Sequence, residues 1–159
     1  MLELRPEPAD GAASRALWNE YMADVRSRLG ADFRPTEEIF ATEAAFGGTG
    51  TAWLVGYEDG RAVCCGGLRP LPAAGDGVCE LKRMFVSRAA RGRGHGRVLL
   101  RALERLAREG GFRRVRLFTT EALVEARAMY EASGYRLAGT VRDDDRTDLW
   151  LEKTLPRSP

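Results

Sequence analysis

Between Arg91 and Arg97 the chain reads Arg91, Gly92, Arg93, Gly94, His95, Gly96, Arg97: three cations and three glycines around the only histidine in the sequence. Glycine lets a backbone approach a ligand closely and take up positive φ. A helix beginning here would point its first N–H groups outward unpaired, and its dipole would add partial positive charge. Arg91, Arg93 and Arg97 add full charges. Such a turn is suited to an anion, and the expected ligand is a phosphate or pyrophosphate. The run lacks G-x-x-x-x-G-K-[ST], so it is no P-loop, and its alternating glycines do not make a G-x-G-x-x-G dinucleotide fingerprint. Two plainer readings stand beside this one: a solvated basic loop, and a disordered Arg-Gly segment for RNA, although such segments lack flanking amphipathic structure.

The neighbouring elements are those an anion site needs. Val78 to Val86 reads as a strand, broken by Ser87 to Arg91. From Arg97, Val98, Leu99, Ala102, Leu103 and Leu106 recur at helical spacing, and the helix is expected to end near Glu109. Upstream, Leu2 to Arg5 reads as a short strand and Asp10 to Leu29 as a helix, with Leu17, Tyr21, Val25 and Leu29 forming one stripe. Trp18 and Met22 flank the stripe, as core or as the wall of a cleft. Pro35 and Thr36 open a second expected helix, running to about Phe46. Thr51 to Tyr57 and Arg61 to Leu68 read as strands joined by an Asp59-Gly60 hairpin turn. Gly66-Gly67 marks a bulge or a close approach. Downstream come a strand from Arg113 to Thr119 and a helix from Glu121 to Ser133 capped by Thr120. Strands at Tyr135 to Val141 and Thr147 to Leu155 complete the chain. The class is α/β (α+β), with a mixed, mostly antiparallel central sheet flanked by helices.

The chain of 159 residues, 44% apolar and 30% charged, fits one domain, expected over residues 1–155 with a disordered tail at 156–159. A net charge of +2 is nearly balanced and argues against a nucleic-acid partner. Cys64, Cys65 and Cys79 are odd in number and two are adjacent, which is neither a disulfide framework nor a zinc pattern. They are read as apolar filler in strands, and no metal site is expected. The start, with Glu3, Arg5, Glu7 and Asp10, carries no apolar signal segment, and no run reaches the ~20 apolar residues of a membrane helix. A cytoplasmic protein without a membrane partner is expected.

The spacing Arg91-x-x-Gly94-x-Gly96 closely resembles the (Arg/Gln)-x-x-Gly-x-(Gly/Ala) signature of the GNAT superfamily of acyl-CoA-dependent N-acetyltransferases. The strand from Glu80 to Val86 looks like that family's central strand. Ala126-x-x-x-Tyr130-x-x-x-Gly134-Tyr135 matches its Ala-x-x-x-Tyr-x-x-x-Gly-(Phe/Tyr) pattern. The resemblance is strong from Glu80 to Tyr135 and rests on layout elsewhere. It implies acetyl-CoA as the acyl donor, with the pyrophosphate on the loop from Arg91 to Arg97 and the acyl and pantetheine part on the backbone of Met84, Phe85 and Val86. Ala126 would border the donor on the following helix. Glu80, six residues before Val86, is the implied general base, direct or through water; the plainer reading is a strand-end glutamate in solvent or paired with Lys82 or Arg83. Tyr130 is the implied general acid at the coenzyme A sulfur, against a tyrosine buried for its area. Many relatives carry an asparagine at the position of Leu123, where it contacts the pantetheine arm, so one donor hydrogen bond is missing here.

His95 is expected near the phosphates, exposed and positional rather than a base. The run Asp143, Asp144, Asp145 reads as a solvated hairpin turn, with a rim that attracts a cationic amine as the alternative. The expected activity is acetyl transfer from acetyl-CoA to a primary amine, of a small molecule, by direct transfer in a ternary complex. Acetylation of a protein N-terminus or lysine, and a non-catalytic acyl-CoA-binding domain, are the competing readings, and a homodimer is left open.

Overall fold

A computed structural model describes residues 1–32, 46–121, 123–143 and 146–157. Its strands are β1 (Glu3–Pro6), β2 (Ala52–Glu58), β3 (Arg61–Pro70), β4 (Val78–Val86), β5 (Arg114–Thr120), β6 (Arg136–Asp143) and β7 (Arg146–Thr154). The described helices are α1 (Ala12–Leu29), α2 (His95–Glu109) and α3 (Val124–Ala132), with single 3-10 turns at Pro72–Ala74 and Arg88–Ala90. The seven strands form one sheet in the order β1-β2-β3-β4-β5-β7-β6. Every pairing is antiparallel except β4 with β5. A parallel pair needs a long crossover, and α2 supplies it. This is the mixed, mostly antiparallel sheet expected from the sequence.

Alternation along the strands divides the core between the two faces. Cys79, Leu81, Val115, Leu117 and Leu151 meet Leu99, Leu100, Leu103 and Ala107 of α2 and Tyr130 of α3. On the other face Trp53, Val55, Cys65 and Phe85 meet Leu17 of α1. Met22 belongs to the buried set, while Trp18 is half-buried beneath the Arg83 guanidinium, 4.0 Å from its ring centre. Asp59 (φ 51°) and Gly60 (φ 75°) make the tight hairpin turn with the two positive φ values that a type I′ turn needs.

The starts of all three described helices differ from the sequence reading, and most strand ends shift by one or two residues. Helix α2 begins at His95, not Arg97, because Gly94 (φ 80°) turns the chain directly into it. Helix α1 begins at Ala12, where Gly11 is the cap. Helix α3 begins at Val124, and Thr120 does not cap it: Thr120 ends β5, and its hydroxyl donates to the Thr147 carbonyl at 3.3 Å. The helix expected from Pro35 lies outside the described residues apart from Phe46, as do Asp144, Asp145 and the last two residues of the tail. Among the described residues no helix is long and apolar enough to cross a membrane.

Candidate active site

The register of β3 against β4 slips in the middle of the sheet. Cys65 faces Phe85 and Gly67 faces Lys82, so Gly66 stands against both Arg83 and Met84. This is a β-bulge in β4, with Arg83 at φ 54°. Glycine at position 66 is what admits it: a Cβ there would lie 2.9 Å from Met84 Cγ. On its other edge β4 pairs with β5 only from Val78↔Arg114 to Leu81↔Leu117. Beyond that pair, β4 continues to Val86 and β5 to Thr120 with no ladder between them. The strands part into a wedge, and the edge of β4 that faces it carries backbone from Lys82 to Val86 without ladder partners.

The glycine loop closes the top of this wedge. Gly92 (φ 78°) and Gly94 (φ 80°) flank Arg93 with positive φ, and alternating backbone of this kind turns successive N–H groups to one side. The first α-helical bond runs from Val98 N to Gly94 O at 3.2 Å, so the N–H groups of His95, Gly96 and Arg97 precede it, and no side chain caps the helix start. A Cβ on Gly92 or Gly94 would meet nothing within 4 Å, so the cradle is open on its outer side. Gly96 differs. A Cβ there would lie 2.8 Å from Met129 Sδ and 3.6 Å from Val86 Cγ2, so glycine lets the end of β4, the start of α2 and α3 converge.

Three carboxylates far away in sequence hold this loop. Glu20 of α1 accepts from Ser87 Oγ at 2.6 Å and from the Arg88 N–H at 3.1 Å. Asp24, one turn later, accepts from Arg91 at 3.1 and 3.3 Å, while Arg91 Nε donates to the Val86 carbonyl at 3.0 Å. Glu58, beside the hairpin turn, is ion-paired with Arg93 and lies 3.1 Å from His95 Nε2. Arg91 and Arg93 therefore brace the loop with their side chains. His95 is not the exposed loop residue expected: it is buried against Glu58 as the first residue of α2. Arg97 alone of the three loop arginines is exposed without a partner among the described residues, at the mouth of a groove it shares with Arg101 and Arg105. The anchors Glu20, Asp24 and Glu58 were missed from sequence; Glu20 and Asp24, four apart on one helix face, are the only trace of a basic partner there.

Tyr130 and Glu80 lie on opposite faces of the sheet. Tyr130, on α3, is 7% exposed and packs edge-on against Tyr135 with ring centres 5.8 Å apart. Its hydroxyl has no hydrogen-bond partner among the described residues. Burial pushes its pKa well above the ordinary tyrosine value, and Tyr21 of α1 adds to the shift. Ala126, one turn before Tyr130, is half-buried against the same core. Glu80 is 2% exposed. Its Oε2 accepts from Arg69 Nε at 3.1 Å, and its Oε1 is 3.4 Å from Lys82 Nζ. Of the two partners expected for it, Lys82 is in place, and the closer cation is Arg69, which stands directly opposite on β3. Leu123 precedes α3 and brings no polar group.

The three cysteines are buried and free, and burial pushes their thiols up to about 11 for Cys64 and about 12 for Cys65 and Cys79. They stay protonated at neutral pH and are poor nucleophiles. Among the described residues no group of His, Cys, Asp and Glu could hold a metal ion. What the geometry offers is an open N–H cradle, a wedge between two strands, and a buried Thr119 hydroxyl without a hydrogen-bond partner among the described residues. These fit an elongated ligand with a phosphate end.

Residues 14–135 match the model of the GNAT acetyltransferase family. Over 84 residues the chain is 45% identical to YjgM of Escherichia coli, an N-acetyltransferase itself uncharacterised; the match spans 52% of this chain and 49% of that protein. The fold is similar to that of a proposed acyl-CoA N-acyltransferase from Klebsiella pneumoniae, with a TM-score of 0.73 at 25% identity over 98% of both chains. An acetyltransferase from Streptococcus agalactiae superposes with a TM-score of 0.77 at 20% identity, over 97% of this chain and 98% of that one, a likeness of fold. With the cradle, the bulged strand and the wedge in place, the chain belongs to the GNAT family of acetyltransferases.

Proposed function

We propose that the protein is an acetyl-CoA-dependent N-acetyltransferase that moves an acetyl group to a primary amine of a small molecule, by direct transfer within a ternary complex. The observation that carries this reading is the wedge between β4 and β5, followed at the end of β4 by the open N–H cradle of the glycine loop. The residues from Gly92 to Arg97 would hold the pyrophosphate of coenzyme A, and Met84 to Val86 the acyl and pantetheine part. Acetyl-CoA supplies an activated thioester carbonyl. Backbone N–H groups on the open edge of β4 are suited to polarise that carbonyl. Tyr130, its pKa raised by burial, keeps its proton at neutral pH and gives it to the departing thiolate. Glu80 takes the proton that the amine must lose through a water, exchanging the 3.4 Å contact to Lys82, the looser of its two ion pairs. Buried, protonated cysteines support direct transfer over an acyl-enzyme.

The test is mass spectrometry after incubation with acetyl-CoA and a panel of small amines and peptides. Acetylation of a small amine with no acyl group left on the protein is expected. Turnover confined to peptides would overturn the small-molecule acceptor, and an acylated cysteine would overturn direct transfer.

A further inference from the structure

Thr119 stands where β5 has already parted from β4, two residues past the last ladder pair. Alternation places it on the face of Val115 and Leu117, the side of α2 and α3. It is 8% exposed, and its Oγ1 is buried with no hydrogen-bond partner among the described residues. The next residue shows the contrast, since the Thr120 hydroxyl has the Thr147 carbonyl. A buried hydroxyl without a partner destabilises a fold relative to the isosteric valine. Stability alone would favour valine at this position, so the hydroxyl calls for another account.

The wedge provides one. A donor with its pyrophosphate on the loop and its thiol near Tyr130 must thread its connecting arm between the strands, and that arm carries two amides. A buried amide needs partners as much as a buried hydroxyl does. Leu123, at the start of α3, has no polar group to give. We infer that Thr119 is a donor-binding residue whose hydroxyl hydrogen-bonds an amide of the pantetheine arm. It supplies from the strand what Leu123 does not supply from the helix. The inference rests on the acetyl-CoA reading above.

Calorimetry separates the two. Coenzyme A is titrated against the wild type, Thr119→Val, Thr119→Ser and the double variant Thr119→Val with Leu123→Asn. Adenosine bisphosphate, the half of coenzyme A without the arm, is the control ligand. Thr119→Val should weaken coenzyme A by about tenfold, leave adenosine bisphosphate unchanged, and melt no lower than the wild type. Thr119→Ser should bind like the wild type, and Leu123→Asn should restore part of the loss. If valine folds poorly, Thr119→Ala is read in the same way. Equal coenzyme A affinity in Thr119→Val and wild type would overturn the inference, as would equal losses for both ligands. A folded wild type that binds neither ligand would overturn the acetyl-CoA reading itself.

Discussion

On the α1 face of the sheet, charges stand in a row across five strands: Arg69, Glu80, Arg116, Glu152 and Arg136 lie side by side in register. Glu80 is held by Arg69 and Lys82, and Glu152 bridges Arg114 and Arg116 at 2.9 and 2.8 Å. On the α2 and α3 face, the hydroxyls of Tyr130 and Thr119 have no hydrogen-bond partner among the described residues. The carboxylates of the charged row are met within the sheet, while these two hydroxyls are left open on a face where Glu104 otherwise accepts from Tyr135 and Lys153. Charge density by itself therefore does not mark the site in this molecule. A buried group with an unmet hydrogen bond marks it better, because the fold tolerates that cost only where something else will meet it.

Substitutions at the open hydroxyls and the glycine loop should alter chemistry and binding while sparing stability, and those in the charged row should fall most heavily on stability. The largest effect is expected for Tyr130→Phe: kcat falls by roughly 10²–10⁴-fold, with acetyl-CoA affinity and melting temperature unchanged, because the hydroxyl has no partner to lose. The raised pKa also sets a sign. The proton is present below the folded value and is lost only above it, so wild-type kcat should show no falling limb below pH ~10. Normal turnover by the phenylalanine variant would remove Tyr130 from the chemistry.

Gly94→Val comes next. The side chain would meet open space, so the fold survives, but a β-branched residue at φ 80° costs ~1–3 kcal/mol and the cradle is obstructed. Coenzyme A affinity should drop by roughly 100-fold in calorimetry. Unchanged affinity in a folded variant would show that the loop is not the phosphate site.

The smallest effect on rate and the clearest on stability are expected for Glu80→Gln. Removing the charge leaves Arg69 and Lys82 facing each other, each about one-fifth exposed, and should cost ~2 kcal/mol in denaturant unfolding. As the base acting through water, Glu80 should also contribute to rate, so kcat falls in the same variant. A stability loss with unchanged kcat would make the whole α1-face row scaffolding.

Patterns local in sequence were legible. The alternation in β4 and β5, the Asp59-Gly60 turn and the glycine loop are each contained within about ten residues, and each follows from backbone sterics and side-chain period. Gly66-Gly67 was legible only in part, because the bulge it permits belongs to Met84 and Arg83 on the next strand. The partners of the site were not legible. Nothing near Glu58 announces that it will hold Arg93 and His95, and nothing near Glu80 announces Arg69. Those pairings are created by strand register and helix docking, which a single sequence does not display. The unpartnered hydroxyl of Thr119 was invisible for the same reason, since a threonine in a strand is ordinary until its surroundings are known.

The anchors of the glycine loop bear on how the molecule comes to be active. Arg91 reaches Asp24 across 67 residues of chain, and His95 reaches Glu58 across 37. Contacts of such separation close late, because a long loop must lose its freedom before the contact rewards it. The glycines can take their positive φ at any time, but the cradle is held in shape only once α1 and the β2–β3 hairpin have docked. Donor binding should therefore be among the last properties the refolding chain acquires, after the β4–α2–β5 unit has already collapsed.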